Sequence, residues 1–225
     1  MFKSTVSLAL LGASLALASP AEATVTLWDG TGANDSITWG QLGTTFTTVN
    51  TPANVVSNLG LTGNVTDEDA TAERRDQGNG WNGNFGAGDQ LLWNEGFGTI
   101  TINFDSPVTA GGAQIQGDIY GPFLARIFTD DGTFFDVAGV SNGNGDDSAI
   151  FIGALSDSAN IVSITFGIHD IGQGLSFAIG QVDLINPSAV PEPGTWAMML
   201  LGFGAMGFAV RRSRKSESKP LAQLA

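Results

Sequence analysis

Alternation of apolar and polar side chains constrains the fold of this chain more than any other feature of its sequence. In the segment GTITINFDSPV, Ile100, Ile102 and Phe104 alternate with polar residues until Asp105-Ser106-Pro107 ends the pattern. A period of two residues places one set of side chains on each face of a β-strand. The pattern recurs in TVTLW, SITW, TTFTTV, AQIQGDIYG, FLARIFTDDGTFFDV, AIFIGAL, IVSITFGI and SFAIGQVDLIN. We therefore expect about nine or ten strands and no long amphipathic helix.

The spacing of these segments favours two packed antiparallel sheets. Successive strands start about 8–15 residues apart, and Asp131-Gly132 is a typical hairpin turn. In IVSITFGI the pattern places Val162 on the same face as Ile164, Phe166 and Ile168. No repeat of fixed period is present, which argues against solenoids and propellers. The predicted fold is all-β, a two-sheet antiparallel sandwich with jelly-roll connectivity.

The charge of the chain is strongly negative and unevenly distributed. The formal net charge is −13 overall, and residues 24–187 hold 19 acidic residues against Arg74, Arg75 and Arg126. A domain this acidic repels a phosphate backbone, so we expect no nucleic-acid partner. The chain has no cysteine, which excludes disulfides, thiolate catalysis and cysteine-ligated metal sites.

The first 23 residues have the three parts of a secretory signal peptide. Lys3 supplies a positive charge, Val6 to Ala18 form a short apolar segment, and Ala21-Glu22-Ala23 provides small residues at a cleavage site. We therefore predict a signal helix that is cleaved after Ala23. The alternative is a buried N-terminal helix.

The C-terminal end combines an apolar segment with a cluster of basic residues. Trp196 begins an apolar run that ends at Val210, and Arg211 and Arg212 open the basic cluster. A helix of this length spans about 22 Å, which is short for a hydrocarbon core of about 30 Å. The positive-inside rule places the basic end in the cytoplasm and the domain outside. We predict a short transmembrane helix at 196–210.

The order of features in this tail resembles the PEP-CTERM sorting signal of Gram-negative bacteria in its PEPxxWA form. Pro191-Glu192-Pro193 is followed by Trp196-Ala197, the apolar run and the arginines. The resemblance implies that an exosortase recognises the tail, cuts near the Pro-Glu-Pro and delivers the protein to the cell surface or extracellular matrix, where such proteins accompany exopolysaccharide. An ordinary membrane anchor is the alternative.

These features divide the chain into three parts. These are a signal peptide at 1–23, a β-sandwich at 24–187 and a sorting tail at 188–225 with its motif at 191–193 and a basic cytoplasmic end at 211–225. The central part also resembles the β-sandwich domains of PEP-CTERM proteins through Phe104 to Val108, Gly111-Gly112 and Asp131-Gly132. More loosely it is similar to galactose-binding-like jelly rolls, which implies a tendency to bind sugars.

Catalytic arrangements find little support in the sequence. His169 is the single histidine, and no serine lies in a G-x-S-x-G elbow. A pair of carboxylates for glycoside hydrolysis is harder to exclude, and Glu95 and Asp118 are the better candidates because they lie near strands. Most other aspartates lie in turns beside glycine or asparagine. We therefore predict that the protein is not an enzyme.

The segment DQGNGWNGNFGAGDQLLW is the candidate sugar site. Aromatic rings can pack on the C–H faces of a sugar while amides and carboxylates hold its hydroxyl groups. The candidate residues are Trp81, Asn82, Asn84, Phe85, Asp89 and Trp93. The alternative is a long surface loop whose aromatic side chains plug the sandwich.

The segment SNGNGDDSA is the candidate site for a structural Ca²⁺ ion. Its oxygen-bearing side chains alternate with glycines that allow the backbone to curl, although the full EF-hand pattern is absent. The candidate ligands are Asn142, Asn144, Asp146 and Asp147. Solvated turn residues are the alternative.

The sequence therefore predicts an exported, non-catalytic carbohydrate-binding or adhesion module. Its expected partners are an exosortase, the membrane before processing, and extracellular polysaccharide. The alternatives are a structural matrix protein without a ligand site and a secreted glycoside hydrolase. Ice binding would need regular rows of threonine, and TTFTTVNT has no repeating row.

Overall fold

The computed structural model describes residues 23–169, 176–187, 198–206 and 211, and the sandwich lies within the first two ranges. Fifteen strands in this part of the chain form two antiparallel sheets, and a single turn of 3-10 helix covers Trp39–Leu42. The predicted all-β sandwich is therefore confirmed. The nine alternating segments, one of them a hairpin, indicated ten strands. The structure has five more, and all five lie between β3 and β9.

The strands have the following bounds: β1 Val25–Trp28, β2 Asp35–Ile37, β3 Thr47–Asn50, β4 Ala53–Val56, β5 Thr62–Asp67, β6 Thr71–Gln77, β7 Gly80–Trp81, β8 Gln90–Trp93, β9 Ile100–Val108, β10 Ala110–Gly117, β11 Gly121–Thr129, β12 Phe134–Ser141, β13 Ile150–Ser156, β14 Ile161–His169 and β15 Phe177–Ile185.

The two sheets differ in size. The nine-stranded sheet has the order β1-β13-β10-β15-β8-β6-β3, with β2 also paired to β15 and β7 to β6. The six-stranded sheet has the order β12-β11-β14-β9-β5-β4. All pairings are antiparallel except the two-residue contact between β6 and β7.

Strands β8 to β15 form a jelly roll. Strand β8 pairs with β15, β9 with β14, β10 with β13, and β11 with β12. These pairings describe one long hairpin that is rolled so that its strands alternate between the sheets. Most of strands β1 to β7 widen the two sheets at their edges, whereas β2 pairs with β15. Strands β10 and β15 lie side by side in the middle of the larger sheet.

The inner faces of the sheets form the main hydrophobic core. In β9 the predicted alternation is confirmed, because Ile100, Ile102 and Phe104 are buried. In β14 it is wrong at one position: Ile161 is buried and Val162 is 42% exposed. The register between β14 and β9 shifts between Ile161 and Ser163. Such a shift reverses which residues face the core, so Ile161 points inward and Val162 outward.

Asp35 ties the two sheets together where the chain leaves β15. Its carboxylate accepts hydrogen bonds from the Ser57 hydroxyl at 2.5 Å, the Asn186 amide at 2.9 Å and the backbone N–H groups of Ser36 and Leu59. Burial alone would raise the pKa of Asp35, but these hydrogen bonds to the charged form outweigh it and lower the pKa.

The two predicted flanking segments fall largely outside the described residues. The signal peptide lies there except for Ala23, and so do Pro191, Glu192, Pro193, Trp196 and Arg212. Residues 198–206 are helical, within the segment predicted to cross the membrane. None of the described helices is both long enough and apolar enough for a membrane crossing. The transmembrane helix at 196–210 stays a prediction.

We predict that Asp67→Asn stabilises the domain at neutral pH. Asp67 is 6% exposed at the end of β5, and its Oδ2 has no hydrogen-bond partner among the described residues. Burial, followed by the charges of Asp69 and Glu68, raises its pKa from 3.8 to about 6 although the Asp69 N–H opposes the rise. The folded state therefore binds this proton more tightly than the unfolded state, and stability falls as pH rises through about 4 to about 6.

The expected gain is at most about 3 kcal/mol above pH 6, since one pKa unit corresponds to about 1.4 kcal/mol. Urea unfolding at about pH 4 and about pH 7.5 measures it, and the gain should disappear at the lower pH. Asp157→Asn removes the same charge from an exposed turn and serves as the control. A gain of equal size at both pH values would contradict the prediction.

Candidate functional site

The segment 78–89 folds back across the outer face of the nine-stranded sheet. In β15, Phe177 and Ile179 point into the main core, so Ala178 between them points outward. Ala178 belongs to a second, smaller apolar cluster with Trp81, Phe85 and Leu91. This cluster lies under the loop, as small satellite cores do in other proteins.

The aromatic side chains of this loop are mostly enclosed. Trp81 is 8% exposed and Phe85 is fully buried. The Trp81 ring lies 6.4 Å from Phe85 and 6.5 Å from Trp93 between centroids. The Arg75 guanidinium lies 4.5 Å from the centroid of the Trp93 ring, and Trp93 Nε1 donates to the Ser176 hydroxyl at 2.6 Å. The rings therefore fill space inside the protein.

A buried network of amides holds this loop in place. Gln116 Oε1 accepts the backbone N–H of Asn84 at 2.6 Å, and Gln116 Nε2 donates to Asn84 Oδ1 at 2.8 Å and to the Asn142 carbonyl at 3.0 Å. Asn84 Oδ1 also accepts the Asn142 N–H at 2.7 Å. Both amide side chains are 1% exposed, so these bonds satisfy groups that water cannot reach. They join β10 to two loops at once.

The candidate Ca²⁺ ligands belong to the second of these loops. Asn142 Oδ1 accepts the Asn144 N–H at 2.9 Å, and Asp146 Oδ1 accepts the Ser148 hydroxyl at 2.5 Å. The hydrogen bond from Ser148 lowers the pKa of Asp146. Asp147 points elsewhere, where its Oδ1 accepts Gln114 Nε2 at 2.9 Å.

These contacts make a self-contained loop. Within the described ranges, no three histidine, aspartate or glutamate side chains lie close enough to hold a metal ion. The Ca²⁺ site at Asn142, Asn144, Asp146 and Asp147 stays a prediction.

The six residues of the candidate sugar site fall into separate places. Asn84 and Phe85 are buried, while Trp81 and Asn82 border a hollow of about 410 Å³ next to Asp118 and Tyr120. The Tyr120 hydroxyl closes this hollow on one side, since it donates to the Asn82 carbonyl at 2.6 Å. Sugar binding at these six residues stays a prediction, but the burial of the rings favours the alternative of an aromatic plug.

The sixth residue, Asp89, lines a larger groove on the same outer face. The groove has a volume of about 700 Å³. Its lining consists of polar side chains, small residues and one aromatic ring: Asp29, Gly30, Thr31, Thr38, Gly88, Asp89, Gln90, Gln114, Asp147, Phe151, Gln181 and Asp183. Gln114 comes from β10, Phe151 from β13, and Gln181 and Asp183 from β15.

Phe151 provides an aromatic surface in this groove. A Cβ atom on Gly112 would lie 2.8 Å from its Cζ, and one on Gly153 would lie 3.0 Å from its Cε1. The ring can therefore lie against the sheet only because these two positions lack side chains. Trp28 packs against it edge-on, with centroids 5.6 Å apart and an interplanar angle of 80°. The ring stays partly exposed.

A β-bulge directs Gln181 into the groove. Ala113 pairs with Val182 and Ile115 with Ile179, so Gly180 and Gln181 lie opposite the single residue Gln114. Bulges of this kind redirect a side chain and are frequent beside functional sites. Gln181 is exposed, and its Nε2 donates to Asp183 Oδ1 at 2.7 Å.

The four carboxylates of the groove are hydrogen-bonded to different neighbours and not to one another. Asp29 Oδ1 accepts the Thr31 N–H at 2.9 Å, which lowers the pKa of Asp29. Asp89 Oδ2 accepts the Gly86 N–H at 2.8 Å, but burial, together with repulsion from Asp147, raises the pKa of Asp89. The charges of Asp89 and Asp147 therefore repel each other in the groove.

The residues considered for catalysis are not assembled into a recognisable centre. His169 is exposed at the end of β14, where it borders an apolar groove with Leu124 and Val140. No hydrogen bond joins it to a serine in the part of the chain that the structure describes. Glu95 has a positive φ of 52° in the turn after β8, and Asp118 follows β10. The prediction that the protein is not an enzyme remains untested.

The groove residues Gln114, Gln181 and Asp183 were not among the predicted site residues, and alternation with apolar neighbours is the one weak signal for them in the sequence. Gln114 alternates with Ile115, and Gln181 and Asp183 alternate with Val182, so each occupies an outward strand position. Only the pairing of β10 with β15 shows that these polar side chains share one surface.

We predict that Trp81→Ala lowers the free energy of unfolding by about 3 kcal/mol, because it leaves a cavity under the loop. Phe97→Ala, which removes an aromatic ring that is 67% exposed, is the matched control and should change stability little. Urea unfolding of the purified proteins measures both. Unchanged stability of the Trp81 variant would contradict its role as a plug.

Comparison with known proteins bears on the tail of the chain. The PEP-CTERM protein-sorting motif matches residues 189–215. No curated protein matches the sequence. Among solved structures, exo-beta-1,3-galactanase from Phanerochaete chrysosporium with galactose is similar at 12% identity and a TM-score of 0.23, over 72% of this chain and 29% of that chain. The chain thus spans less than a third of that protein.

The match at 189–215 covers the Pro-Glu-Pro motif, the apolar run and the first arginines. It confirms the resemblance on which the sorting prediction rests. The C-terminal part of the chain carries a PEP-CTERM protein-sorting motif, the kind of motif that exosortases process.

Proposed function

We propose that the β-sandwich is a non-catalytic module that binds extracellular polysaccharide in the groove on the outer face of the nine-stranded sheet. The observation that carries the proposal is the composition of the groove. Amide and carboxylate side chains from neighbouring strands surround a partly exposed aromatic ring. The groove is open and polar, and a segment of a sugar chain fits its volume of about 700 Å³.

The groove chemistry suits a sugar in two ways. Gln114 Nε2 already donates to Asp147 and to the Ala149 carbonyl, so its Oε1 is the atom that can accept a sugar hydroxyl. Gln181 Nε2 uses one of its two N–H groups on Asp183, so Gln181 can both donate to a hydroxyl group and accept from one. The free face of Phe151 can pack against the C–H groups of a pyranose ring. The bulge opposite Gln114 and the two glycines under Phe151 hold these side chains in place before a ligand arrives. Little conformational entropy of the protein would therefore be lost on binding.

The sorting motif supports the setting for this function. An exported PEP-CTERM protein would pass through a membrane-anchored intermediate at the inner membrane before exosortase processing. We propose that the processed protein then resides at the cell surface or in the extracellular matrix, where it would meet exopolysaccharide. A structural matrix protein without a ligand site is the second candidate, and the burial of Trp81 and Phe85 is the observation that favours it.

We predict that Phe151→Ala and Gln114→Ala each weaken binding to a panel of immobilised oligosaccharides about tenfold, which corresponds to about 1.4 kcal/mol. Phe97→Ala removes an exposed ring outside the groove and should leave binding unchanged. Biolayer interferometry with the full chain in detergent measures the affinities. Absence of binding to every oligosaccharide, with the protein folded, would favour the structural matrix protein.

We predict that Glu192→Ala blocks processing in a host that carries an exosortase. The change removes the central residue of the Pro-Glu-Pro motif, so the unprocessed form should accumulate in the membrane fraction on immunoblots. Glu217→Ala removes the same side chain beyond the matched residues 189–215 and is the control. Normal release of the Glu192 variant would show that the motif is not read in this protein.

A further inference from the structure

We infer that the groove selects a cationic amino-sugar polymer, in which glucosamine units carry free ammonium groups. The inference rests on the proposed polysaccharide function and specifies the charge of its ligand. Its basis is the distribution of charge in and around the groove. The groove itself is defined by the Phe151 ring and the amide side chains, and the carboxylates decide which sugars enter it.

The groove carries four carboxylates and no compensating cation. Asp29, Asp89, Asp147 and Asp183 are part of its lining, and none of its lining residues that the structure describes is a lysine, an arginine or a histidine. Each carboxylate has one oxygen in a hydrogen bond with a neighbouring group. In Asp89, Asp147 and Asp183 the second carboxylate oxygen has no hydrogen bond within the described residues, so it can accept one from a ligand.

The arginines of the domain are engaged away from the groove. Arg74 pairs with Asp76 at 2.6 Å, Arg75 with Glu73 at 2.5 Å, and Arg126 with Asp136 at 2.5 Å. None of these three arginines lines the groove. Its charge is therefore uncompensated, and a uronic acid polymer would be repelled while an ammonium group would be attracted.

The carboxylates are also spread out. They belong to four different segments of the chain, and in the described part of the structure no three of them come close enough to hold a metal ion. One small cation cannot satisfy such an arrangement. A polymer that carries an ammonium group on successive sugar units can place several charges along the groove, each near a different carboxylate. Repulsion between Asp89 and Asp147 would fall when such a ligand binds.

The test compares two ligands with the same sugar backbone, the glucosamine tetramer with free ammonium groups and the N-acetylglucosamine tetramer, in which neutral acetamide groups replace them. Isothermal titration calorimetry uses the full chain in detergent, in mildly acidic buffer that keeps the amine protonated. We expect the glucosamine tetramer to bind at least about tenfold more tightly at low salt, with the difference shrinking as ionic strength rises. A tetralysine peptide of equal charge should bind weakly, since it cannot pack on Phe151.

The variants separate the groove from the general charge of the domain. Asp147→Asn combined with Asp183→Asn should abolish the preference, because asparagine keeps the Oδ1 acceptor for Gln114 and Gln181 but removes the charge. Asparagine also tolerates the positive φ of 61° at residue 147. The control combines Asp105→Asn with Asp157→Asn, which changes the net charge equally on exposed residues outside the groove.

The outcomes separate selectivity for cationic sugars from polysaccharide binding in general. Equal binding of both tetramers, lost in Phe151→Ala, would overturn the charge selectivity and leave the polysaccharide function standing. No binding of either tetramer or of any neutral or acidic oligosaccharide would overturn both. Equal binding of tetralysine, or an equal effect of the control pair, would overturn the inference by showing general attraction to an acidic protein.

Discussion

The contact between Gln116 and Asn84 is the interaction on which the functional face of this protein depends. It joins the central strand β10 to the loop that carries Trp81 and Phe85, and through Asn142 to the loop that carries Asp147. The amides are fully enclosed, so breaking one bond would leave its partner buried without a substitute. This network therefore fixes which part of the outer sheet face is plugged and which part stays open as a groove.

The rolled hairpin explains why the groove lies where it does. Rolling brings β10 and β15 side by side in the middle of the larger sheet although about 70 residues separate them in sequence. The bulge opposite Gln114 then directs Gln181 outward, and glycines in β10 and β13 leave room for Phe151. The jelly roll thus supplies a flat support, and small local irregularities turn it into a site.

Sequence reasoning predicted the fold class and ten of the strands because alternation follows directly from the geometry of a strand. It missed β4 to β8, and β6 shows why: Arg74 occupies a buried position in TAERRDQ, where the pattern would demand an apolar residue.

The candidate sugar site was harder to predict from the sequence than the fold. Trp81 and Phe85 are conspicuous in sequence yet buried, whereas Gln114 and Gln181 look like ordinary solvent-facing residues until the strand pairing is known. The sorting motif was readable because it is a local pattern recognised by another enzyme.

The central claim is that the open groove, rather than the aromatic loop, receives the sugar. Carbene footprinting of the full chain with and without a bound oligosaccharide tests it directly, because mass spectrometry then reports which side chains the ligand shields. The account predicts shielding at Phe151 and at the segment containing Gln181 and Asp183, with no change at Trp81. Shielding confined to Trp81, Asn82 and Tyr120 would place the sugar in the smaller hollow and contradict the account.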